Sequence, residues 1–414
     1  MATKFLASEQ LPALLEALAR DARLVIPAKS DGLVQFDIWE LRKEVELQVL
    51  LARQSPKEWV FPQCETYLRF EYAMAAPEET QDGASGVAPA GVAPAESAPA
   101  QAAPAIPHET IQLESLNEAP RQVIFGLRPC DVRGFVQMDR VFGGYGGFYF
   151  DPLYNARREA TTLLAVTCRE PRSTCFCTAV GGSPAGQEGV DALLTEVGGG
   201  FVVEVLTAKG EAALAAAVSA GFLSDAGEAQ VAEAVRVKTA ASAKVDSPFT
   251  LEGIRENLRA NFADDRWHDL CLRCISCGTC TYVCPNCYCF NINDSLVETE
   301  GERYRTWDNC FNPQYTEETS GHNPRAHKAN RFRNRFSHKF WYYPEKYESL
   351  LCSGCGRCIM HCPTRIDIRE VLRVMGAPAA APSEGVAAAA APAAASSATS
   401  PVADQSASTE GKEA

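Results

Sequence analysis

The chain has 414 residues with 52 acidic and 39 basic side chains, which give a formal net charge of −13. This acidic balance argues against nucleic acid or an anionic membrane surface as the main partner. No apolar run reaches the roughly 18 residues that a membrane span requires. We therefore expect a cytoplasmic protein of two or three domains, each of about 100 to 200 residues.

The start of the chain predicts an amphipathic helix and not a signal peptide, because leucines recur at helical spacing. These leucines are Leu11, Leu14, Leu15 and Leu18. Residues 1–74 together with 108–245 predict an α/β domain. In them, apolar β-rich runs at 122–127, 161–167 and 201–206 alternate with helical runs, as is typical of an α/β layer fold.

Two segments rich in alanine and proline interrupt and end the folded part of the chain. Residues 75–107 and 376–414 contain too few large apolar groups to offset the entropy of ordering them. They predict a disordered insert and a disordered tail. Residues 246–375 predict a mainly α-helical domain, and the whole chain therefore predicts an α+β multidomain fold.

Cysteine is the most unusual part of the composition. The chain has 17 cysteines, of which 12 lie between Cys271 and Cys362. A disulfide framework is an unexpected use for them in a long cytoplasmic chain, and metal binding is the usual alternative.

Two matching motifs carry the main prediction. Each has the spacing C-x2-C-x2-C-x3-C-P, with a glycine after the second cysteine; the cysteines are Cys274, Cys277, Cys280 and Cys284 in the first motif, and Cys352, Cys355, Cys358 and Cys362 in the second. In this spacing three thiolates bind one [4Fe-4S] cluster, and the fourth binds the neighbouring cluster. The crossed rule assigns Cys362 to the first three cysteines and Cys284 to the set that begins at Cys352. We therefore predict that residues 246–375 form a helical, ferredoxin-like domain with two [4Fe-4S] clusters side by side.

Zinc binding or free buried thiols are the alternatives to these clusters. Zinc sites usually use paired C-x2-C units with a longer gap between them, and they do not need a group of three cysteines plus a fourth. The glycine lets the backbone approach a cluster closely, and the proline suits the first turn of a helix. The duplication of the whole pattern favours iron and sulfide.

Two further groups of cysteines leave the number of clusters open. Cys271, Cys287, Cys289 and Cys310 surround the first motif, but their spacing fits no known ligand pattern, and buried free thiols explain them as well. In the α/β block, Cys130, Cys168, Cys175 and Cys177 follow strand-like runs. The ends of neighbouring strands could bring these four thiols together as a third iron-sulfur cluster, or they could be unrelated packed thiols.

Charged residues near the motifs have two interpretations. The connector between the motifs carries six cations without an intervening acid: Arg325, Lys328, Arg331, Arg333, Arg335 and Lys339. They would raise the potential of an anionic cluster, or they would form a solvated helix face. Arg128, Asp131 and Arg133 beside Cys130 suit either a docking surface or a redox site. We expect His338 and His361 to be packed or hydrogen-bonded side chains, since cysteines already complete the ligand sets.

No catalytic residue is predicted. The glycine-rich stretch at 141–154 lacks both nucleotide-binding patterns and predicts a surface loop. Flavin, nicotinamide and haem signatures are likewise missing from the sequence.

The chain resembles the dicluster iron-sulfur proteins represented by the beta subunit of cytoplasmic nickel-iron sulfhydrogenases and by the iron-sulfur subunit of anaerobic sulfite reductases. The segments that carry the resemblance are GLRPCD at 126–131, DRVF at 139–142, DPLYNARRE at 151–159, CFC at 175–177, the first motif with its continuation to 290, RTWDNC at 305–310, RFRNRFSHK at 331–339 and the second motif with its continuation to 372. The resemblance leaves out the insert and the tail.

This resemblance implies an electron-transfer subunit in a hetero-oligomer, with the eight motif cysteines as cluster ligands. One partner would be a subunit that binds FAD and handles NAD(P)H. The other would be a nickel-iron hydrogenase, a sulfite reductase or a heterodisulfide-reductase-type catalytic subunit. Two other hypotheses stay open: an enzyme subunit with a catalytic or flavin-reducing cluster in the α/β block, and a redox sensor that acts alone.

Overall fold

The computed structural model of the protein describes residues 3–48, 51–74, 109–246 and 248–378. These residues belong to one compact unit, Met1–Pro378. The predicted insert at 75–107 and residues 379–414 of the tail predicted at 376–414 lie outside the described residues. Within the described ranges, no helix combines the length and the apolar character that crossing a membrane demands.

The strands are β1 (Thr3–Ala7), β2 (Arg23–Ser30), β3 (Leu33–Ile38), β4 (Cys64–Met74), β5 (Glu109–Ser115), β6 (Gln122–Leu127), β7 (Thr161–Val166), β8 (Ala192–Val197), β9 (Gly200–Val205), β10 (Leu223–Asp225), β11 (Phe290–Val297) and β12 (Glu300–Trp307).

The helices are α1 (Leu11–Asp21), α2 (Trp39–Arg42), α3 (Pro129–Phe142), α4 (Pro152–Glu159), α5 (Ala208–Ser219), α6 (Glu228–Ala243), α7 (Ile254–Ala260), α8 (Arg266–Cys271), α9 (Thr279–Tyr282), α10 (Lys328–Ser337), α11 (Tyr343–Tyr347), α12 (Arg357–Met360) and α13 (Ile368–Met375). A π-helical turn, His338–Tyr342, joins α10 to α11. The predicted N-terminal helix is confirmed as α1, although the residues before it form strand β1.

Eight strands form a mixed sheet in the order β10-β1-β9-β8-β7-β6-β2-β3. The central pairs β2/β6, β6/β7 and β7/β8 are parallel. The remaining pairs of this sheet are antiparallel. The strands predicted at 122–127, 161–167 and 201–206 are confirmed as β6, β7 and β9. Because β6 and β7 are parallel neighbours, the loops that leave their carboxyl ends meet at one edge of the sheet.

Apolar side chains cover both faces of this sheet. Along β6, Val123 and Phe125 enter the core that also holds α1 and α5, whereas Ile124 enters the core on the other face. That second core includes the buried face of α3 with Phe135 and Met138. The alternation follows from the two-residue period of a strand, and it makes the predicted α/β layers.

A second sheet combines the two predicted blocks. Its order is β11-β12-β4-β5, with every pair antiparallel. The expectation that residues 246–375 are mainly helical is therefore incomplete, because β11 and β12 form a hairpin of two eight-residue strands there. Most of the β11 side chains are exposed or half-buried, and so its sequence lacks the apolar alternation that predicts a strand.

The two blocks also share their cores. Tyr343, Tyr347 and Leu351, from the C-terminal block, pack in the core beneath α3. In return, Phe176 and Val180 from the α/β block pack in the core that holds α7, α10 and α13. The division near residue 246 stays a prediction, and the packing there is continuous.

Gly134 of α3 fixes the distance between the helix and the first cysteine motif. A Cβ atom at this position would lie 2.6 Å from Cβ of Pro285 and 2.9 Å from its carbonyl oxygen. Both distances are closer than a side chain tolerates, and Pro285 follows directly after Cys284. The backbone that carries Cys284 therefore rests on a bare stretch of α3.

We predict that Gly134→Ala lowers the free energy of unfolding. Overpacking costs about 1 to 3 kcal/mol, which outweighs the gain of about 1 kcal/mol in helix propensity. Anaerobic urea denaturation followed by circular dichroism measures the change. Gly227→Ala is the control, because Gly227 has φ −74 and its added Cβ would meet only the end of the Gln230 side chain at 3.6 Å. Equal midpoints for the two variants would contradict the close contact.

Candidate metal centre

The first motif is a tight turn that leads into the short helix α9. Ser276 and Gly278 have φ values of 57° and 73°, which place the backbone in the left-handed region. A Cβ on Gly278 would lie 2.8 Å from the Asn309 side chain. Glycine at this position therefore satisfies both the backbone conformation and the packing, and the turn directs three cysteines toward a common centre.

The second motif repeats this turn and leads into α12. Gly354 and Gly356 have φ values of 65° and 72°. Added Cβ atoms would lie 2.5 Å from Cα of Cys177 and 2.4 Å from the carbonyl oxygen of Thr174. The second motif is thus pressed against the Thr174–Cys177 loop of the α/β block.

The structure brings Cys362 to the cysteines of the first motif. Cys274, Cys277, Cys280 and Cys362 line one cavity, which Phe311, Phe332 and Phe336 close from the protein side. Two backbone amides donate toward these sulfur atoms: Ser276 N lies 3.4 Å from Cys274 Sγ, and Ile366 N lies 3.2 Å from Cys362 Sγ. This is the crossed arrangement that the spacing predicts for the first set.

In the second set, the charges that act on each thiol show which cysteines are neighbours. The pKa of Cys352 is raised to about 11, mainly by burial; the charge of Lys339 opposes this rise, and the charges of Cys284 and Cys355 add to it. Burial likewise raises the pKa of Cys355 and Cys358, with Cys284 again among the charges that add to each rise. Cys284 therefore lies beside the three early cysteines of the second motif.

The two sets are neighbours. Cys358, from the second set, lines the cavity formed by the first set. Charges on Cys274, Cys284 and Cys277 act on the thiol of Cys280, whose pKa burial raises to about 11. The eight motif cysteines therefore form two adjacent sets of four thiols.

The two sets differ in their access to solvent. Cys277 is exposed, and Leu272 and Ile275 beside it are 71% and 63% exposed. By contrast, Cys284, Cys352 and Cys355 are buried. A cluster on the first set would lie near the surface, and a cluster on the second set would lie inside the protein.

Three buried cations lie near Cys284 of the second set. Lys339 Nζ lies 3.5 Å from Cys284 Sγ and 2.9 Å from the carbonyl oxygen of Leu351. Arg335 donates to the carbonyl oxygen of Cys280 at 3.0 Å and lies 3.6 Å from Cys287 Sγ. Lys57 donates to the carbonyl oxygen of Cys287 at 2.7 Å, and its ammonium group lies 4.0 Å from the Trp307 ring centroid.

These cations favour an anionic group among the thiols. Burial by itself lowers the pKa of Lys339, but the charges of Cys284 and Cys287 reverse the effect and raise it overall. A hydrogen bond from Cys287 and the charges of Lys339 and Arg335 lower the pKa of Cys284. A cubane ligated by four thiolates carries net negative charge, and a pocket of buried cations therefore fits it.

The lining of the cavity is compatible with a cluster held by separate thiolates. Within the described residues, no group of three or more His, Cys, Asp or Glu side chains is placed to hold one metal ion. A zinc ion needs its thiolates about 2.3 Å away from one point, whereas a cubane binds one thiolate at each of four separate iron corners. Cysteines spread around a cavity could each bind a separate iron corner.

The basic connector is not a uniform solvated face. Arg331, Arg335 and Lys339 are buried. Arg331 donates to the carbonyl oxygens of Arg325 and Ala326, and Lys328 donates to the carbonyl oxygens of Leu272 and Cys274. Lys328 thus stabilises the backbone of the first motif, and Arg335 and Lys339 supply positive charge to the thiols.

The two histidines were expected to be packed or hydrogen-bonded, and the structure shows a hydrogen bond for one of them. His338 pairs with the Tyr288 hydroxyl at 3.0 Å, which confirms that it is hydrogen-bonded. Burial lowers the pKa of His338 to about 4, so that it is neutral at pH 7. His361 is half-buried, and its Nε2 has no partner within the described residues.

Cys271, Cys287, Cys289 and Cys310 do not form one group. Cys271 donates to the carbonyl oxygen of His268 at 3.2 Å and has Cys274 as its thiol neighbour. Cys287 instead faces Cys284 and Lys339. Burial raises the pKa of Cys310 to about 12, and Cys289 is the first charge that adds to the rise. These thiols border the two motif sets separately.

The structure does bring the other four cysteines together. Cys130, Cys168, Cys175 and Cys177 line one cavity at the carboxyl ends of β6 and β7. Cys355, from the second motif, lines the same cavity.

Two cations that lie near the cysteines were not predicted from the sequence. Lys57 stands far before Cys284 in a stretch without any recognisable motif, and only the fold brings it to the thiols. Arg357 lies inside the second motif. A charged residue between Cys355 and Cys358 is unusual, and this could have identified it from the sequence. It is fully buried and donates to Asp131 at 2.6 Å and to the carbonyl oxygen of Ala52 at 3.0 Å.

Comparisons with known proteins agree with this geometry. The family described as "4Fe-4S dicluster domain" matches residues 273–366. Sulfhydrogenase 2 subunit beta of Pyrococcus furiosus is 31% identical over 251 residues, which cover 60% of this chain and 72% of that protein. No solved structure matches the chain.

We predict that Lys339→Met lowers the midpoint potential of one cluster and leaves the other nearly unchanged. A positive charge stabilises the reduced, more negative cluster, and its removal at about 4 Å is worth about 1 to 4 kcal/mol per electron, depending on solvent access. Redox titration monitored by electron paramagnetic resonance measures both potentials. Lys339→Arg retains the charge and Lys346→Met removes an exposed one; unchanged potentials in all three variants would contradict the electrostatic role.

Proposed function

This chain belongs to the dicluster [4Fe-4S] electron-transfer subunit family that includes sulfhydrogenase 2 subunit beta, and from that membership we propose that it transfers electrons within a larger oxidoreductase complex. Its two clusters are bound by the eight motif cysteines. Cys274, Cys277, Cys280 and Cys362 hold the first cluster, and Cys284, Cys352, Cys355 and Cys358 hold the second.

The observation that carries this proposal is the exchange of the fourth cysteine between the motifs. Cys362 lies with the first motif around one cavity. Cys284 interacts electrically with the thiols of the second motif. Since each set draws on both motifs, the clusters are close neighbours, and electrons can pass between them.

The difference in exposure suggests where a partner docks. The first cluster lies beside exposed Cys277, and the exposed side chains of Leu272 and Ile275 provide an apolar contact there. A redox partner that covers these residues would come close to the first cluster. We propose this edge, between Leu272 and Cys277, as the docking surface for one of the two partners.

We propose two partners for the chain. One is a subunit that binds FAD and handles NAD(P)H, and the other is a catalytic subunit of the nickel-iron hydrogenase, sulfite reductase or heterodisulfide-reductase type. The Pyrococcus furiosus relative is named as part of a sulfhydrogenase, and it supports the hydrogenase choice. Each transfer moves one electron: the donor cluster loses it and is oxidised, and the acceptor cluster gains it and is reduced. No bond in the protein forms or breaks.

The residues of this chain have electrostatic and positioning roles in that transfer. Lys339 and Arg335 offset the charge that the second cluster gains on reduction. The backbone amides of Ser276 and Ile366 donate toward ligand sulfur atoms of the first cluster. Hydrogen bonds to sulfur and nearby positive charge both raise a cluster potential, and so they set the direction of flow relative to the partners.

We predict that a tagged version of this chain, purified without oxygen from its native host, brings a flavoprotein and a hydrogenase or reductase subunit with it. A stand-alone redox sensor would instead purify by itself. Mass spectrometry of the purified fraction identifies the companions. Rapid NADH oxidation by the pure single chain would contradict the proposed division of labour.

We predict that the purified chain binds at least about eight iron and eight sulfide ions in its two motif clusters. Cys280→Ser removes one ligand of the first set and should abolish or alter one of the two paramagnetic signals. Cys64→Ser is the control, because Cys64 is exposed on β4. A wild-type protein with zinc or no metal, and without the brown colour of iron-bound sulfide, would overturn the proposed function.

A further inference from the structure

We propose a third iron-sulfur cluster, bound by Cys130, Cys168, Cys175 and Cys177 in the α/β block. It deepens the proposed function and rests on it, since it adds a site next to the second cluster. The four cysteines line a single cavity. Cys168, Cys175 and Cys177 are 8% to 9% exposed, and Cys130 is half-buried.

The topology of the large sheet explains why distant cysteines meet here. Cys130 is the second residue of α3, directly after β6, and Cys168 comes two residues after the end of β7. Because β6 and β7 are parallel neighbours, their carboxyl ends lie side by side. The loop that continues from β7 then brings Cys175 and Cys177 back to the same place. Ligands of open α/β sheets bind at such strand ends.

The surroundings of this cavity favour an anionic group. Cys130 lies in the first turn of the 14-residue helix α3, where the helix dipole stabilises negative charge. Arg128 is buried beside the cavity and donates to the carbonyl oxygens of Thr167 and Leu47 at 3.1 and 2.8 Å. Its positive charge acts on the Cys168 thiol.

Arg357 adds a second buried cation. Its Nη1 pairs with Asp131, but its Nη2 has no hydrogen-bond partner within the described residues. The thiols of Cys355 and Cys130 are its electrostatic neighbours. Both of these cysteines line the cavity, so this fully buried guanidinium group adds positive charge next to it.

The proposed site is in direct contact with the loop of the second cluster. Phe176 N donates to the carbonyl oxygen of Gly354 at 2.8 Å, and Cys175 Sγ lies 3.7 Å from the carbonyl oxygen of Cys355. Cys355 also lines the cavity. On the other side, Cys358 lines the cavity of the first set. The second cluster therefore lies between the first cluster and the third.

This order gives the protein an electron path from the exposed first motif to the end of the large sheet. One electron would leave the reduced second cluster and reduce the oxidised third cluster, and the reverse transfer would run in the opposite sense. A second redox partner would then dock near the carboxyl ends of β6 and β7, away from the exposed Cys277 edge.

The experiment counts iron, sulfide and zinc in the full chain after anaerobic purification. The motif clusters alone supply about eight irons, while a third cluster raises the count to about twelve if it is cubane and to about ten if it has two irons. The double variant C175S/C177S should lose only this extra iron together with a third paramagnetic signal. The signals of the two motif clusters should persist, which shows that the variant is folded.

Two controls separate this inference from the proposed function. Cys64→Ser should keep the full iron count, and Cys280→Ser should perturb a motif signal while the third signal remains. A wild-type count of about eight irons, with or without one zinc ion, would overturn the third cluster and leave the two-cluster function intact. A wild-type protein without any iron would overturn both.

Discussion

The structure depends on the close approach of buried cations to the cysteine thiols of the two motifs. Isolated charges in a low-dielectric interior are costly, and they persist only when opposite charges or hydrogen bonds offset the cost. Around Cys284, Lys339 and Arg335 supply these charges, and Lys57 lies close by. These cations come from segments that are far apart in the chain. The folded protein thus brings these positive charges together around Cys284 and Cys287.

These charges explain why the two predicted blocks pack as one unit. Lys57 belongs to the segment before β4, whereas Lys339 and Arg335 belong to the connector between the motifs. The buried Arg357–Asp131 ion pair likewise joins the second motif to α3. Breaking such a pair leaves an uncompensated buried charge, which is strongly destabilising. The contacts that bring positive charge to the thiols therefore also hold the two blocks together.

Close backbone packing is the second constraint. Gly134 admits Pro285, and Gly354 and Gly356 admit the Thr174–Cys177 loop. Each of these contacts places one cysteine-bearing loop against an element of the α/β block. The cysteine-bearing loops are short, and these contacts hold them against the α/β block. A protein that transfers electrons benefits from such rigidity, because it keeps the distances between redox groups constant.

The sequence by itself determined the features that depend on nearby residues. The spacing of the motif cysteines, the glycine and proline positions, helix α1 and strands β6, β7 and β9 all follow from local geometry and periodicity. It also determined the resemblance to a dicluster family, since that resemblance rests on contiguous segments. The hairpin β11/β12 was missed because its second strand pairs with β4 and many of its side chains are exposed, so that no apolar alternation marks it.

Tertiary structure alone decided what depends on contacts between distant residues. It placed Lys57 beside Cys287, Arg357 beside Asp131, and Cys130, Cys168, Cys175 and Cys177 around one cavity. The sequence left that last group equally open to two interpretations. The order of parallel strands and the approach of the second motif loop brought the four thiols together, and neither property is encoded in the residues adjacent to any one of them.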